Sequence, residues 1–266
     1  MPSPPDPRQL TIIGGGNMGA ALLGGLLDAG VIEREALAVV EVLEARRREL
    51  NASFPGVLVT AEMPPSRAAL VAVKPGDVPA AAAAAAAAGA TRILSIAAGV
   101  RLATIEAAAG AGVAVVRAMP NTPALVRLGA SAIAAGSAAA DDDVAWAESI
   151  LSAVGTVERM SERDLDLFTG VAGSGPAYVF LLAEALTDAA VAGGMAPATA
   201  ERVVRQLLLG SATLLDREGD PATLRERVTS PGGTTAAGLA VLADRGVGEA
   251  VAAAVAAATE RSRELG

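Results

Sequence analysis

The chain has 266 residues, of which 52% are hydrophobic, and a formal net charge of −8 from 29 acidic and 21 basic residues. This length allows one large domain or two smaller ones. An acidic chain repels phosphate backbones and anionic membrane surfaces, so we expect no nucleic-acid partner and no membrane association. Cysteine and histidine are both absent, which excludes disulfides, thiolate chemistry, imidazole-based catalysis and His-ligated zinc. We therefore predict no metal site.

We expect neither the N-terminus nor the alanine run to direct the chain into a membrane. Residues 1–7 contain four prolines and no apolar core, which predicts a disordered tail rather than a signal peptide. The alanine run at residues 80–88 lies between Pro79 and Gly89 and is too weakly apolar to favour membrane insertion. We therefore expect no transmembrane segment and a cytoplasmic protein.

Short apolar runs alternate with helical stretches over the first 160 residues. The predicted strands are residues 10–13, 37–42, 57–59, 69–73, 92–96, 113–117, 131–134 and 154–159. The predicted helices between them are residues 18–29, 44–51, 80–88, 102–108 and 141–152. This alternation predicts βαβ units and a mostly parallel sheet with helices on both faces.

The pattern changes near Met160, after which almost only helical periodicity is found. The predicted helices there are residues 178–192, 197–216, 221–227, 235–244 and 248–263. We therefore predict an α/β fold with a Rossmann-type, doubly wound domain at residues 8–162 and an all-α domain at residues 163–266. Alanine-rich helices pack closely, so the second domain is a candidate oligomer interface.

A glycine-rich turn follows the first strand and opens the first helix. Gly14, Gly16 and Gly19, with Asn17 and Met18 between them, have the spacing of a dinucleotide-binding turn. The helix N-terminus adds free N–H groups and a partial positive charge for a pyrophosphate. The alternative is an ordinary glycine-rich turn of an α/β protein, but strand, turn, helix and second strand follow in the required order.

The end of the second strand carries conflicting signals about the dinucleotide. Glu41 is the acidic type that holds the ribose 2′-hydroxyl of NAD and repels the 2′-phosphate of NADP. Arg46 follows in a run of three arginines and is the type that accepts a 2′-phosphate. The sequence leaves NADH and NADPH both open.

Further candidate residues lie in loops. Ligands of open α/β sheets bind at the C-terminal ends of strands. Val73 ends a predicted strand, and Lys74, Pro75, Ala97 and Asn121 follow predicted strands. In the helical half, a second loop precedes a helix and consists of Ser230, Pro231, Gly232, Gly233, Thr234 and Thr235. Glycine N–H groups, hydroxyls and a helix N-terminus suit a small carboxylate, although hydroxyl residues before a helix are usually caps.

Taken together, these motifs resemble the pyrroline-5-carboxylate reductase family over nearly the whole chain. The stretches that carry the resemblance are residues 13–19, 73–75, 119–123, 173–178 and 229–235. The resemblance implies reduction of 1-pyrroline-5-carboxylate to L-proline by NADPH or NADH, the last step of proline biosynthesis. It also implies a homodimer through the helical domain, with the active site shared between the two chains, and in some members a decamer.

The resemblance also assigns roles to individual residues. Ser230, Gly232, Gly233, Thr234 and Thr235 would bind the substrate carboxylate, and Thr235 would hydrogen-bond the ring nitrogen as the catalytic group. Lys74 and Ala97 would line the cofactor and Asn121 would lie near the nicotinamide. Two positions depart from the family's pattern. Ala172 stands where members often have serine, so that hydroxyl is not required here. Glu41 stands near a position where many members have a small hydroxyl residue, which suits the 2′-phosphate of NADPH.

Two other functions remain open at this point. One is another imine or hydroxyacid reductase of the same two-domain plan, but the hydroxyacid enzymes use a lysine on the first long helix after the Rossmann domain. Lys74 is the only lysine of this chain, which weighs against them. The other is a dinucleotide-binding regulatory protein without turnover, which would not need the loop at residues 230–235.

Overall fold

The computed structural model describes residues 6–266. The expected disordered tail at residues 1–7 lies mostly outside this range, and Asp6 and Pro7 are exposed and outside any helix or strand. The chain divides into two compact units, of which the first runs to Ser174 and also includes Ala257–Gly266, and the second is Gly175–Ala256. The domain boundary between residues 162 and 163 stays a prediction.

An eight-stranded sheet forms the centre of the first unit within residues 6–266. Its strands are β1 (Leu10–Ile13), β2 (Leu37–Val40), β3 (Leu58–Thr60), β4 (Ala68–Val71), β5 (Arg92–Ser95), β6 (Ala114–Met119), β7 (Gly129–Ala135) and β8 (Gly155–Arg159). The spatial order is β3-β2-β1-β4-β5-β6-β7-β8, and neighbours are parallel except at the β6–β7 pair. The order from β3 to β6 is that of the Rossmann fold, so the predicted mostly parallel sheet is confirmed.

Helices cover both faces of this sheet, as predicted. They are α1 (Asn17–Asp28), α2 (Glu44–Ser53), α3 (Val78–Ala87), α4 (Leu102–Ala109), α5 (Asp141–Leu151) and α6 (Asp164–Phe168), and a π-helix follows at Thr169–Gly173. Because successive strand residues point to opposite faces, Leu70 of β4 packs into one apolar layer, and Ala69 and Val71 pack into the other. This two-sided burial explains why the strands read as continuous apolar runs.

The second unit is entirely helical, which confirms the predicted all-α half. It contains α7 (Gly175–Ala192), α8 (Pro197–Glu218), α9 (Pro221–Arg227), α10 (Thr234–Asp244) and the beginning of α11 (Val247–Leu265). Helices α7 and α8 pack against each other. The last residues of α11, from Ala257, belong to the first unit.

One helical stretch of the described chain, Asp164–Ala192, is long and apolar enough to cross a membrane by length and composition alone. Its most apolar window has a mean hydropathy of 1.3 and is 17% buried. A helix that packs against another chain has the same composition. The expected absence of a transmembrane segment therefore stays a prediction.

Candidate active site

Backbone geometry explains two of the glycines in the turn after β1. Gly14 has a φ of +104°, and a Cβ there would lie 2.5 Å from the carbonyl oxygen of Ala72. A Cβ on Gly19 would overlap the carbonyl oxygen of Gly14. These two positions require glycine so that the turn is tight and α1 lies close to β1.

Gly16 is different, because a Cβ there would meet no described atom within 4 Å. Packing within the protein therefore gives no reason for glycine at this position. A ligand that approaches the backbone gives one, and the pyrophosphate of a dinucleotide is the ligand that this turn fits. Gly16 and Asn17 are exposed, whereas Met18 packs against the core.

The beginning of α1 is open to an anion. Among the described residues, no side chain caps the helix at Gly16, and its first turn contains no acidic residue. The unpaired N–H groups and the positive end of the helix dipole therefore face outward without a protein partner. The residues present fit the pyrophosphate of a dinucleotide.

Glu41 and Arg46 both form hydrogen bonds with the main chain of Gly15, which lies between Gly14 and Gly16 in the turn. Glu41 Oε2 accepts a hydrogen bond from the Gly15 N–H at 3.0 Å, and Oε1 accepts one from the Leu43 N–H at 2.9 Å. Arg46 Nε donates to the Gly15 carbonyl at 2.7 Å, and its Nη1 donates to Glu49 at 2.7 Å. The two residues with conflicting predictions thus share one structural task, which is to fix the turn.

The sheet register brings the other predicted cofactor residues to the same edge. Ile13 of β1 is paired with Val40 of β2 and with Val71 of β4. The residues that follow these strands therefore lie side by side, at the point where the strand order reverses and ligands of such sheets bind. Of the predicted residues at this edge, Val73 is half-buried, Lys74 and Pro75 are exposed and Ala97 is buried.

Both polar atoms of the Asn121 side chain have partners within the protein. Its Oδ1 accepts a hydrogen bond from the Ala130 N–H at 2.9 Å, and its Nδ2 donates to the Ala172 carbonyl at 3.0 Å. Asn121 thus joins the end of β6 to β7 and to the π-helix at Thr169–Gly173. Such helices with an extra residue per turn are often found at functional sites. The predicted contact with a nicotinamide stays a prediction.

In the second unit, the predicted carboxylate loop joins α9 to α10. Gly232 has a φ of +68°, and the Gly233 N–H donates to the Ser230 carbonyl at 3.0 Å, which closes a turn just before α10. No side chain caps α10, and the hydroxyls of Ser230, Thr234 and Thr235 make no hydrogen bond with any residue from 6 to 266. This arrangement leaves main-chain and hydroxyl donors available to an anion.

A polar network beside the sheet was not predicted from the sequence. Arg117, 2% exposed on β6, donates to Glu162 at 2.9 Å, and Glu162 also accepts the Leu102 N–H at 2.7 Å. Asp166, likewise 2% exposed, accepts from Arg101 at 3.0 Å and from the Ser262 hydroxyl at 2.8 Å. A signal was present, because an arginine inside the apolar run of β6 requires a buried anionic partner.

The comparisons with known proteins agree with this geometry. Residues 162–265 match the family model described as pyrroline-5-carboxylate reductase dimerisation, and residues 9–99 match one described as NADP oxidoreductase, coenzyme F420-dependent. A pyrroline-5-carboxylate reductase of Synechocystis is 44% identical over 97% of this chain and 98% of the relative. This chain belongs to the pyrroline-5-carboxylate reductase family.

Solved structures extend the likeness to three dimensions. A pyrroline-5-carboxylate reductase from Coxiella burnetii has a TM-score of 0.90 and 33% identity, with 98% of this chain and 99% of that chain covered. The Plasmodium falciparum pyrroline carboxylate reductase, solved with NADP bound, has a TM-score of 0.83 and 27% identity, covering 97% and 98% of the two chains. The resemblance inferred from the motifs is thus confirmed, and with it use of NAD(P)H.

Proposed function

We propose that this chain reduces 1-pyrroline-5-carboxylate to L-proline with NAD(P)H, the last step of proline biosynthesis. The observation that carries the proposal is the pair of uncapped helix N-termini that follow glycine turns in a member of this family. The turn at residues 14–19 is open at Gly16, where a dinucleotide pyrophosphate fits. The loop at residues 230–235 has the donors for a small carboxylate.

The residues of the carboxylate loop have distinct tasks in this reaction. The main-chain N–H group of Gly232 and the hydroxyls of Ser230 and Thr234 bind the substrate carboxylate. The Gly233 N–H, bonded to the Ser230 carbonyl, holds the turn that presents these donors. The protonated ring nitrogen donates a hydrogen bond to the Thr235 hydroxyl, which fixes the ring for attack at its C=N carbon. NAD(P)H, when bound, supplies the hydride. Orientation of two reactants in this way contributes roughly 7–11 kcal/mol.

The reaction needs no histidine or cysteine from the protein. A protonated cyclic imine is already electrophilic, and its nitrogen carries the proton that remains in the product. The chain therefore has to bind, orient and exclude water rather than transfer a proton with a strong acid. This demand agrees with a sequence that contains neither residue type.

The assembly is part of the same proposal. A dimerisation region at residues 162–265 supports a homodimer in which the helical regions of two chains cover each other's apolar side chains. We also propose that dimers assemble further into a decamer and that the chain is cytoplasmic. The dinucleotide-binding domain would end at residue 162, and the helical dimerisation and substrate domain would begin at residue 163. Light scattering of the purified full chain measures the number of subunits.

The test is an assay of the purified full-length chain with 1-pyrroline-5-carboxylate and either NADH or NADPH. We expect loss of reduced-nicotinamide absorbance with L-proline as product. The Thr235→Ala variant should lose about ten- to a hundredfold in kcat/KM, the value of a hydrogen bond to a charged group, with unchanged dinucleotide affinity. Thr213→Ala, which removes an α8 hydroxyl bonded to the Leu209 carbonyl, is the matched control.

Two results would contradict the proposal. Absence of turnover with both dinucleotides would remove the assigned reaction. Full kcat/KM in the Thr235→Ala variant would remove the role of Thr235 and leave the family's reaction intact.

A further inference from the structure

The Glu41 carboxylate lies at the end of β2, beside the glycine turn. This is the place where Rossmann-type proteins contact the adenosine ribose of a dinucleotide. Two main-chain donors, Gly15 and Leu43, fix its two oxygens at 3.0 and 2.9 Å. The position of the negative charge is therefore set by the backbone of the turn itself.

Glu41 has acceptor capacity left for a ligand. A carboxylate offers about four lone-pair sites, and the two main-chain donors occupy one on each oxygen. The side chain is only half-buried, so the remaining sites are accessible. Ribose hydroxyls donate hydrogen bonds to such sites, whereas a 2′-phosphate brings only acceptors and negative charge.

Within residues 6–266, the Glu41 carboxylate forms no ion pair. The nearby arginine run has other partners. Arg46 is bonded to Gly15 and Glu49, Arg47 donates to the carbonyl oxygens of Glu41 and Val42 at 2.9 and 2.8 Å, and Arg48 pairs with Glu44 at 2.9 Å. A 2′-phosphate at this edge therefore meets a carboxylate without an ion-pair partner, and arginines whose bonds to the main chain or to neighbouring glutamates hold them in place.

We infer that Glu41 is a specificity-determining residue that makes this chain prefer NADH to NADPH. The inference rests on the proposed function, since it concerns the hydride donor of that reaction. It goes further in naming one dinucleotide and the residue that selects it. Arg46 then acts as a positioning residue for the turn and does not bind phosphate.

The experiment is a fluorescence titration of the full-length protein with NADH and with NADPH, in the absence of 1-pyrroline-5-carboxylate. We expect NADH to bind at least about tenfold more tightly than NADPH, because the Glu41 carboxylate repels a 2′-phosphate that binds beside it. In Glu41→Gln, the dissociation constant for NADPH divided by that for NADH should fall by about tenfold. Glu33→Gln, which removes an exposed carboxylate before the beginning of β2, at the other end of this strand from Glu41, should leave the ratio unchanged.

The ratio separates specificity from a merely structural role. If Glu41 only supported the turn, Glu41→Gln would weaken NADH and NADPH equally, because both share the pyrophosphate, and the unchanged ratio would overturn the inference. Tighter binding of NADPH than of NADH by the wild type would overturn it as well. Binding of neither dinucleotide would overturn the proposed function together with the inference, whereas a preference for NADPH leaves the proposed function standing.

Discussion

The two compact units use apolar residues in opposite ways. In the first unit, the strands at the centre of the sheet are almost fully buried, with Leu10, Leu70 and Leu94 each 0% exposed. In the second unit, α7 and α10 bury none of their described residues. Phe180 and Val241 there are 65% and 60% exposed.

This difference shows which part of the chain has its own core. The sheet and its covering helices bury each other's apolar residues within one chain. Helices α7 and α10 of the second unit instead leave large apolar residues exposed, and large exposed apolar areas mark protein interfaces. The match of residues 162–265 to a dimerisation region explains the excess, so we infer that the second unit reaches its full stability only in the oligomer.

A charge on the exposed apolar surface of the second unit should have the largest effect. We expect Phe180→Glu to weaken subunit association by at least about a hundredfold, since aromatic residues are typical hot spots of interfaces. Light scattering at several protein concentrations measures the dissociation. Leu128→Glu, a change at a 75% exposed residue of the first unit, is the control. If both variants and the wild type had equal masses at every protein concentration, the surface around Phe180 would not be a subunit interface.

Two glycines of the turn after β1 should have different roles, one in packing α1 against the turn and the other in binding the dinucleotide. Gly19→Ala places a Cβ against the Gly14 carbonyl and should lower the free energy of unfolding by about 3 kcal/mol. Gly16→Ala places a Cβ in open space and should leave this free energy within about 1 kcal/mol of the wild type while weakening dinucleotide binding at least about tenfold. Denaturant unfolding and dinucleotide titration measure the two effects. Normal binding by Gly16→Ala would mean that the pyrophosphate lies elsewhere.

Much of the fold could be predicted from the sequence, because its signals are local. The bounds of β1 and α9 agree with the predicted residues 10–13 and 221–227, where Gly14 follows β1 and Pro221 begins α9. The antiparallel β6–β7 pair was not predicted, since alternation of strands and helices does not show strand direction. The hydrogen bonds of Glu41 and Arg46 to Gly15 could not be predicted either. The bond between Glu41 and Gly15 joins residues 26 positions apart and depends on the register of the sheet.

The hydrogen bonds and the ion pair of Asp166 should stabilise the first unit, because they connect it to the last turns of α11 within one chain. Asp166 is 2% exposed and joins Arg101 to Ser262, so Asp166→Asn should lower the free energy of unfolding by about 2 kcal/mol. Ser262→Ala, which leaves the ion pair intact, should cost about 1 kcal/mol. Glu264→Gln removes an exposed pair with Arg261 and should change little. If all three variants unfolded alike in denaturant, the end of α11 would not depend on this network.

The smallest effect should come from the beginning of α9. There, an exposed cap residue, Asp220, stabilises the helix by local hydrogen bonds and without burial. Hydrogen bonds from the Thr223 hydroxyl, the Thr223 N–H and the Ala222 N–H hold the pKa of Asp220 below its ordinary value of 3.8. A pKa lowered by folding contributes stability above the unfolded-state value, and this stability is lost as the pH falls through the folded-state value. The Tm of the wild type should therefore exceed that of Asp220→Asn slightly at neutral pH, and the difference should disappear well below pH 3.8. A difference that persisted in acid would mean that the shape of the cap, rather than its charge, stabilises α9.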